Sequence, residues 1–216
     1  ANHRLKLLDG DRHGAIVGAC DRILEGGFED QFPVDRYQTG SGTSTNMNVN
    51  EVIARLASTD ELDVNPNDHV NMSQSSNDVI PTAIHVSAVK ALQNKLLPAL
   101  THLEGCIYER ENLLNGQVKT GRTHLMDAMP VTLGQELRAW REQLEGVGRR
   151  LEYSCEDLLP VPQGGTAVGT GVNADTRFAG EFVKVMHNLT GFRFREVEHK
   201  FVGQGAVDAP VHLSSQ

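Results

Sequence analysis

Residues 131–157 read Val-Thr-Leu-Gly-Gln-Glu-Leu-Arg-Ala-Trp-Arg-Glu-Gln-Leu-Glu-Gly-Val-Gly-Arg-Arg-Leu-Glu-Tyr-Ser-Cys-Glu-Asp. Leu133, Leu137, Trp140, Leu144, Val147 and Leu151 alternate spacings of four and three, the seam of a helix that packs on other helices. The stripe is expected to face a helical core. A helix of roughly 25 residues is about 38 Å long, more than a small monomeric bundle needs. The seam therefore predicts an all-α fold whose bundle is completed by other chains.

Outward from that helix the pattern stays helical. Residues 10–25 place Ile16, Val17, Cys20, Ile23 and Leu24 at helical spacing, with Asp11 as cap and Gly26-Gly27 as stop. An extended connection over 31–42 leads to a second helix from Thr45 to Ala57, and 58–68 reads as a polar loop. Ser76, Asn77 or Asp78 caps a long helix with Pro81 in its first turn, where a missing N–H costs little. Pro98 is expected to kink or divide that helix before it continues to Leu114. A glycine-rich break at 164–171 precedes a last helical stretch over 175–188. No internal repeat or low-complexity tract interrupts the chain.

Length and composition exclude several classes. A chain of 216 residues can form one domain or two. Hydrophobic content of 39% with 5% aromatic residues suits helices better than a β-sandwich. The net charge of −8, with no Lys/Arg cluster, argues against a nucleic-acid partner. No apolar run approaches the roughly 20 residues needed to cross a bilayer, and no signal-peptide pattern opens the chain. Cys20, Cys106 and Cys155 are far apart and odd in number, so they read as free thiols in a reducing, cytoplasmic setting. Metal binding is not expected: no two histidines stand at i and i+4, and no carboxylate cluster accompanies them.

Chemistry concentrates in three polar segments, each before a helix-like stretch: Gly40–Asn48, Ser73–Asp78 and Gly121–Ala128. Hydroxyls, amides and unpaired backbone N–H groups at helix starts hold small anions, because orphan donors and the helix dipole point there. One such segment is an ordinary cap. Three, one carrying the Thr123-His124 pair in a loop before Pro130, point to a divided site for a carboxylate. The first is neither a phosphate-binding loop nor a nucleophile elbow, since it lacks both endings. The glycines of 164–171 follow no strand and are not a dinucleotide motif.

Four longer motifs carry a resemblance. They are Gly-Ser-Gly-Thr-Ser-Thr-Asn-Met-Asn-Val-Asn-Glu (40–51), Asn-Asp-His-Val-Asn-Met-Ser-Gln-Ser-Ser-Asn-Asp (67–78), Gly-Arg-Thr-His-Leu-Met-Asp-Ala-Met-Pro-Val-Thr-Leu-Gly-Gln-Glu (121–136) and Gly-Gly-Thr-Ala-Val-Gly-Thr-Gly-Val-Asn (164–173). In this order they resemble the class II fumarase and aspartase superfamily, from about Leu7 to Gln216. Ser75-Ser76-Asn77 and Thr123-His124 are similar to its fumarate hydratase branch; aspartases typically have Ser-Thr-Asn-Asp and Thr-Gln at these places.

The resemblance implies an all-α homotetramer built on long helices, with 1–68 part of an N-terminal helical domain and 69–216 part of the central bundle. It implies reversible addition of water to fumarate, a small dicarboxylate, without a cofactor or metal, at sites shared between subunits. By motif, Ser41, Thr43, Ser75, Ser76 and Asn77 hold a substrate carboxylate. Thr123 and His124 come from another subunit, and His124 acts with a water on the hydroxyl side. Asn65, Asn67 and Asp68 match a secondary anion site.

Departures keep two alternatives open. Asn65 stands where fumarases often have His and is more aspartase-like, which favours an ammonia-lyase; His124 opposes it. His199 replaces an Asn that commonly precedes Lys-Phe. The family's Gly-Ser-Ser and Lys-x-Asn loop, expected to supply a proton-abstracting serine and a carboxylate-binding lysine, lies beyond Gln216. The residues given thus read as a piece of such an enzyme, with the C-terminal part of the fold absent. Alone they are expected to be inactive, a non-catalytic helical fragment.

Overall fold

Asp9, not Asp11, starts the first helix. In the computed structural model, which describes residues 1–216, its carboxylate accepts the Arg12 N–H at 2.9 Å and pairs with the Arg12 guanidinium at 2.8 Å. Asp11 falls in the first turn, where its charge still favours the helix start. Helix α1 runs Gly10–Glu25 and ends at Gly26, whose φ of 96° suits glycine. A short 3-10 turn, Glu29–Gln31, leads towards α2, Thr43–Ala57. Further along come α3 (Ser76–Ala91), α4 (Leu97–Leu114), strands β1 (Val118–Thr123) and β2 (Met126–Thr132), and α5 (Leu133–Leu158). After these follow β3 (Pro160–Val161), α6 (Phe178–Thr190), β4 (Arg195–Glu196), α7 (Lys200–Gly205) and α8 (Asp208–Ser214). The fold is all-α in class, with one hairpin and one two-residue parallel pair.

The chain forms two compact units. One comprises Ala1–Val86 and Leu159–Asp208, the other Ser87–Leu158 and Ala209–Gln216. Both are discontinuous in sequence, whereas the reading above divides the chain once, at 68/69.

In the first unit α1 packs on α2. Ala19, Ile53, Ala54, Ala57 and Val64 form the buried cluster, with Ile16, Ile23 and Leu62 against it. Small residues at 19, 54 and 57 let the backbones approach, while burying each of Ile53 and Val64 is worth about 1.5–3 kcal/mol. Pro66–Val70, which overlaps the end of the 58–68 stretch read as a polar loop, is a π-helical turn. Within segment 159–208, β3 pairs in parallel with β4, and the Gly164 and Thr166 N–H groups tie the segment to the rest of this unit by donating to Asp78. The His85 ring also hydrogen-bonds the Pro160 carbonyl at 2.9 Å.

In the second unit α4 and α5 lie antiparallel. A Cβ on Gly134 would stand 2.6 Å from the Asn115 Cα, Arg141 pairs with Glu111 at 2.9 Å, and Gly148 faces Leu100. Before α4, a π-turn over Leu92–Leu96 loosens the helix where Pro98 cannot donate to its fourth preceding carbonyl. Helix α5 is continuous, as its spacing predicts. Its seam, however, is only partly covered: Leu151 is 6% exposed, but Trp140 is 57% exposed. The reason is geometric, since α4 covers a single flank of the helix and its contacts run along Gly134, Arg141 and Gly148.

The largest departure from expectation is at 118–132. Segment 121–128 is not a loop before a helix but the end of an antiparallel hairpin, with Thr123 opposite Met126 and an irregularity between Thr120 and Arg122. His124 (φ 50°) and Leu125 (φ 62°) make its two-residue turn. Two successive left-handed residues are what a tight right-twisted hairpin needs.

Candidate active site

Gly42 brings the first polar segment to the third helix. It is the N-cap of α2 in the left-handed conformation (φ 64°), one residue before the Thr43 hydroxyl and without a side-chain cap. A Cβ there would meet Ile80 of α3 at 2.9 Å. Ser41 Oγ and Thr43 Oγ1 stand 3.2 Å apart, and Thr39 Oγ1 is 3.4 Å from Ser41. The outcome is a run of exposed hydroxyls at the start of a 15-residue helix. Such a start presents donors and the positive end of the dipole to an anion.

The second segment is ordered by a reciprocal cap. Ser75 is the cap of α3: its Oγ accepts the Asn77 N–H at 3.3 Å, while Asp78 Oδ1 accepts the Ser75 N–H at 2.9 Å. Because the helix starts at Ser76, Pro81 lies beyond the first turn, inside the helix, and removes the helical bond to the Asn77 carbonyl. Asp78 Oδ2 also accepts the N–H groups of Gly164 and Thr166, each at 2.9 Å. Asp78 is fully buried. Burial pushes its carboxyl above the usual range, against the pull of those three backbone hydrogen bonds. This residue, named in the sequence only as a possible cap, ties the 73–78 segment to the glycine-rich turn.

Two clefts result. The first, of about 450 Å³, is lined by Ser41, Asn77, Ile80, Pro81, Ala167 and Gln204 among others. Asn77 Nδ2 donates to the Ala167 carbonyl at 2.7 Å across it. The second, of about 260 Å³, is lined by Ser73, Gln74, Ser75, Ser76, Thr166, Ala167 and Asn173. Ser76 is 7% exposed and its hydroxyl accepts from Asn46 Nδ2 at 3.0 Å, so it is partly committed to the fold. Thr166 Oγ1 and Gln204 Oε1 are buried without a hydrogen-bond partner in the chain, the kind of atom a bound ligand or water satisfies. Neither was singled out in the sequence. The 164–173 motif carried the signal but named no atom.

Thr123 and His124 belong to the other unit, at the exposed hairpin end. The structure thus brings Ser41, Thr43, Ser75, Ser76 and Asn77 into one unit and leaves Thr123 and His124 in the second. Lys119 to Glu136 at 2.8 Å and Arg122 to Asp127 at 3.2 Å are the ion pairs that brace the hairpin. At 65–68, Asn65 Oδ1 accepts the N–H groups of Asn67 and Asp68 at 2.8 and 3.0 Å. Those two donors are occupied by the side chain of Asn65 itself.

The family model for lyases matches residues 4–215. The chain belongs to the lyase family. It is 50% identical over 216 residues to the class II fumarate hydratase of Xylella fastidiosa (strain Temecula1), covering all of this chain and 46% of that protein. It is 49% identical to the class II fumarate hydratase 2 of Pseudomonas aeruginosa, covering all of this chain and 47% of that one. The crystal structure of class II fumarase from Schistosoma mansoni matches with a TM-score of 0.94 at 36% identity, over 99% of this chain and 49% of that one. The chain spans about half the length of the curated relatives it matches. Among these relatives of the lyase family, the fumarate hydratase branch expected from Ser75-Ser76-Asn77 and Thr123-His124 is the one found.

Proposed function

We propose that the protein carrying this chain is a fumarate hydratase, adding water reversibly to fumarate to give L-malate. The observation that carries this reading is identity of about half over the whole chain to class II fumarate hydratases, with every polar segment of the candidate site inside the matched region. Removing the proton beside a carboxylate makes a doubly charged, enolate-like species, so the site must place donors where that charge develops. Ser41, Thr43, Ser75 and Asn77, with the open start of α2, supply hydroxyl, amide and backbone donors and need no metal. Ser76 adds a hydroxyl already oriented by Asn46. His124, poised at a turn with Thr123 beside it, serves the hydroxyl side of the substrate through a water.

The assembly we propose is a homotetramer whose sites draw the carboxylate-binding segments from one subunit and Thr123-His124 from another. Its support is the apolar surface around His124: Leu125 is 96%, Met126 70% and Met129 78% exposed, more than an isolated hairpin tip needs. Asn65, Asn67 and Asp68 form a secondary anion site in this reading only if Asn65 turns away from the two N–H groups it now caps. We place the protein in the cytoplasm, in keeping with its three free cysteines; no helix is long and apolar enough to cross a membrane.

The test is turnover. The protein that carries these residues, supplied separately with L-malate and L-aspartate, is expected to form fumarate from malate and none from aspartate. Fumarate from aspartate with ammonia release, and none from malate, would replace this reading with the ammonia-lyase one.

A further inference from the structure

We propose that His102 and Cys106 form a two-ligand site for a divalent cation of the zinc class on the exposed face of α4. The residues are four apart in the helix, so one turn sets them on the same face. His102 Nε2 stands 3.7 Å from Cys106 Sγ. Two ligands of a single tetrahedral zinc, with Zn–S of about 2.3 Å and Zn–N of about 2.0–2.1 Å, lie about 3.6 Å apart. The pair is therefore already at chelating separation, and a cation enters between the two atoms with little movement of either side chain.

The surroundings leave room for it. Both side chains are exposed, and a Cβ added at the intervening Gly105 would meet nothing within 4 Å. No third His, Cys, Asp or Glu completes a cluster, so solvent fills the remaining coordination positions. That count sets the class of ion. One thiolate and one imidazole favour zinc and its soft neighbours over magnesium or calcium, which demand oxygen ligands. The chain's net charge of −8 attracts a cation, and α4 itself carries no Lys or Arg between Lys95 and Arg110; Arg141 of α5 packs on α4 at Tyr108 and pairs with Glu111.

The other thiols do not share this setting. Cys155 is buried and accepts from Gln93 Nε2 at 3.4 Å, while Cys20 is half-buried and its thiol is pushed up by burial. Cys106 is the exposed one of the three, and it has the His102 ring within reach. The bland alternative is a weak hydrogen bond between ring and thiol on a solvated helix face. It predicts the same distance but no metal affinity.

Cobalt(II) separates the two, because it takes the tetrahedral nitrogen and sulfur positions of zinc and shows a sulfur-to-cobalt charge-transfer absorption. Reduced protein titrated with Co²⁺ is expected to develop that band to saturation at one cation per chain, with Zn²⁺ displacing it and Mg²⁺ not. Cys106→Ser should abolish the band. His102→Ala should keep the thiolate but weaken binding by roughly tenfold or more, the effect of losing one ligand worth at least about 1.4 kcal/mol. Far-UV circular dichroism should match wild type for both variants, since both side chains are exposed. The proposal is overturned if no band appears, if it survives Cys106→Ser, or if His102→Ala binds as tightly as wild type.

Discussion

The carboxylate of Asp78 holds the backbone N–H of Gly164 at 2.9 Å, although 86 positions separate the two in sequence. With the N–H groups of Thr166 and Ser75 on the same side chain, Asp78 fixes the cap of α3 against the turn that walls both clefts. Replacing it with alanine leaves three backbone donors without an acceptor in a buried place. At about 1–3 kcal/mol for each unsatisfied group, with some recovered by relaxation, Asp78→Ala should destabilise the protein by roughly 3 kcal/mol or more. Asp78→Asn keeps an acceptor for Gly164 and Thr166 and should cost less. Urea unfolding of the two variants checks the order; equal and small losses would show that the carboxylate does not join the segments.

Two glycines of α5 should respond in opposite directions to the same change. A Cβ at Gly134 would sit 2.6 Å from the backbone of Asn115, so Gly134→Ala should cost about 1–3 kcal/mol through forced separation of the helices. At Gly146 the nearest atom is the end of the Arg150 side chain at 3.4 Å, and alanine there should gain about 0.5–1 kcal/mol from reduced chain freedom. Thermal unfolding of the pair reads the sign directly.

These positions show what the sequence makes legible. The four-and-three spacing from Leu133 to Leu151 predicts α5 nearly to the residue, and Gly26-Gly27 marks the end of α1 because each signal is local. The Ser75-x-x-Asp78 box is local too, yet the reading sets the cap at Ser76, Asn77 or Asp78, one to three residues late, and the further bonds of Asp78 depend on a turn almost ninety residues away, which no spacing reports. Trp140 misleads for a related reason: the seam specifies a packing face, and whether that face is covered depends on what lies opposite. The hairpin was hidden by its turn. His124-Leu125 adopts the conformation that Asn-Gly ordinarily announces, and the flanking strands lack alternation.

Asp9 should make stability depend on acid pH. Its hydrogen bonds to the Arg12 backbone and guanidinium hold its carboxyl down to about 2. A depressed value in the fold means the contribution is present above the unfolded carboxyl range of about 3.9 and is lost as pH falls towards 2. NMR titration of Asp9 should give the low midpoint, and Asp9→Ala should remove the part of the acid-unfolding slope between those values. An Asp9 midpoint near 3.9 would mean the cap is open in solution.

The central claim is that Thr123-His124, on the hairpin end, provides acid–base assistance to carboxylates held by the 41–43 and 75–77 segments. It is tested most directly by malate dehydration in the protein that carries this chain, with and without His124→Asn. His124 is exposed at the hairpin turn and asparagine is polar and smaller, so the variant should keep its fold by circular dichroism, and sizing checks that it assembles as wild type does. Its turnover should drop by at least about 10²-fold, the usual scale for losing a positioned acid–base group. Malate dehydration within a few-fold of wild type, in a variant that folds and assembles normally, would contradict the account.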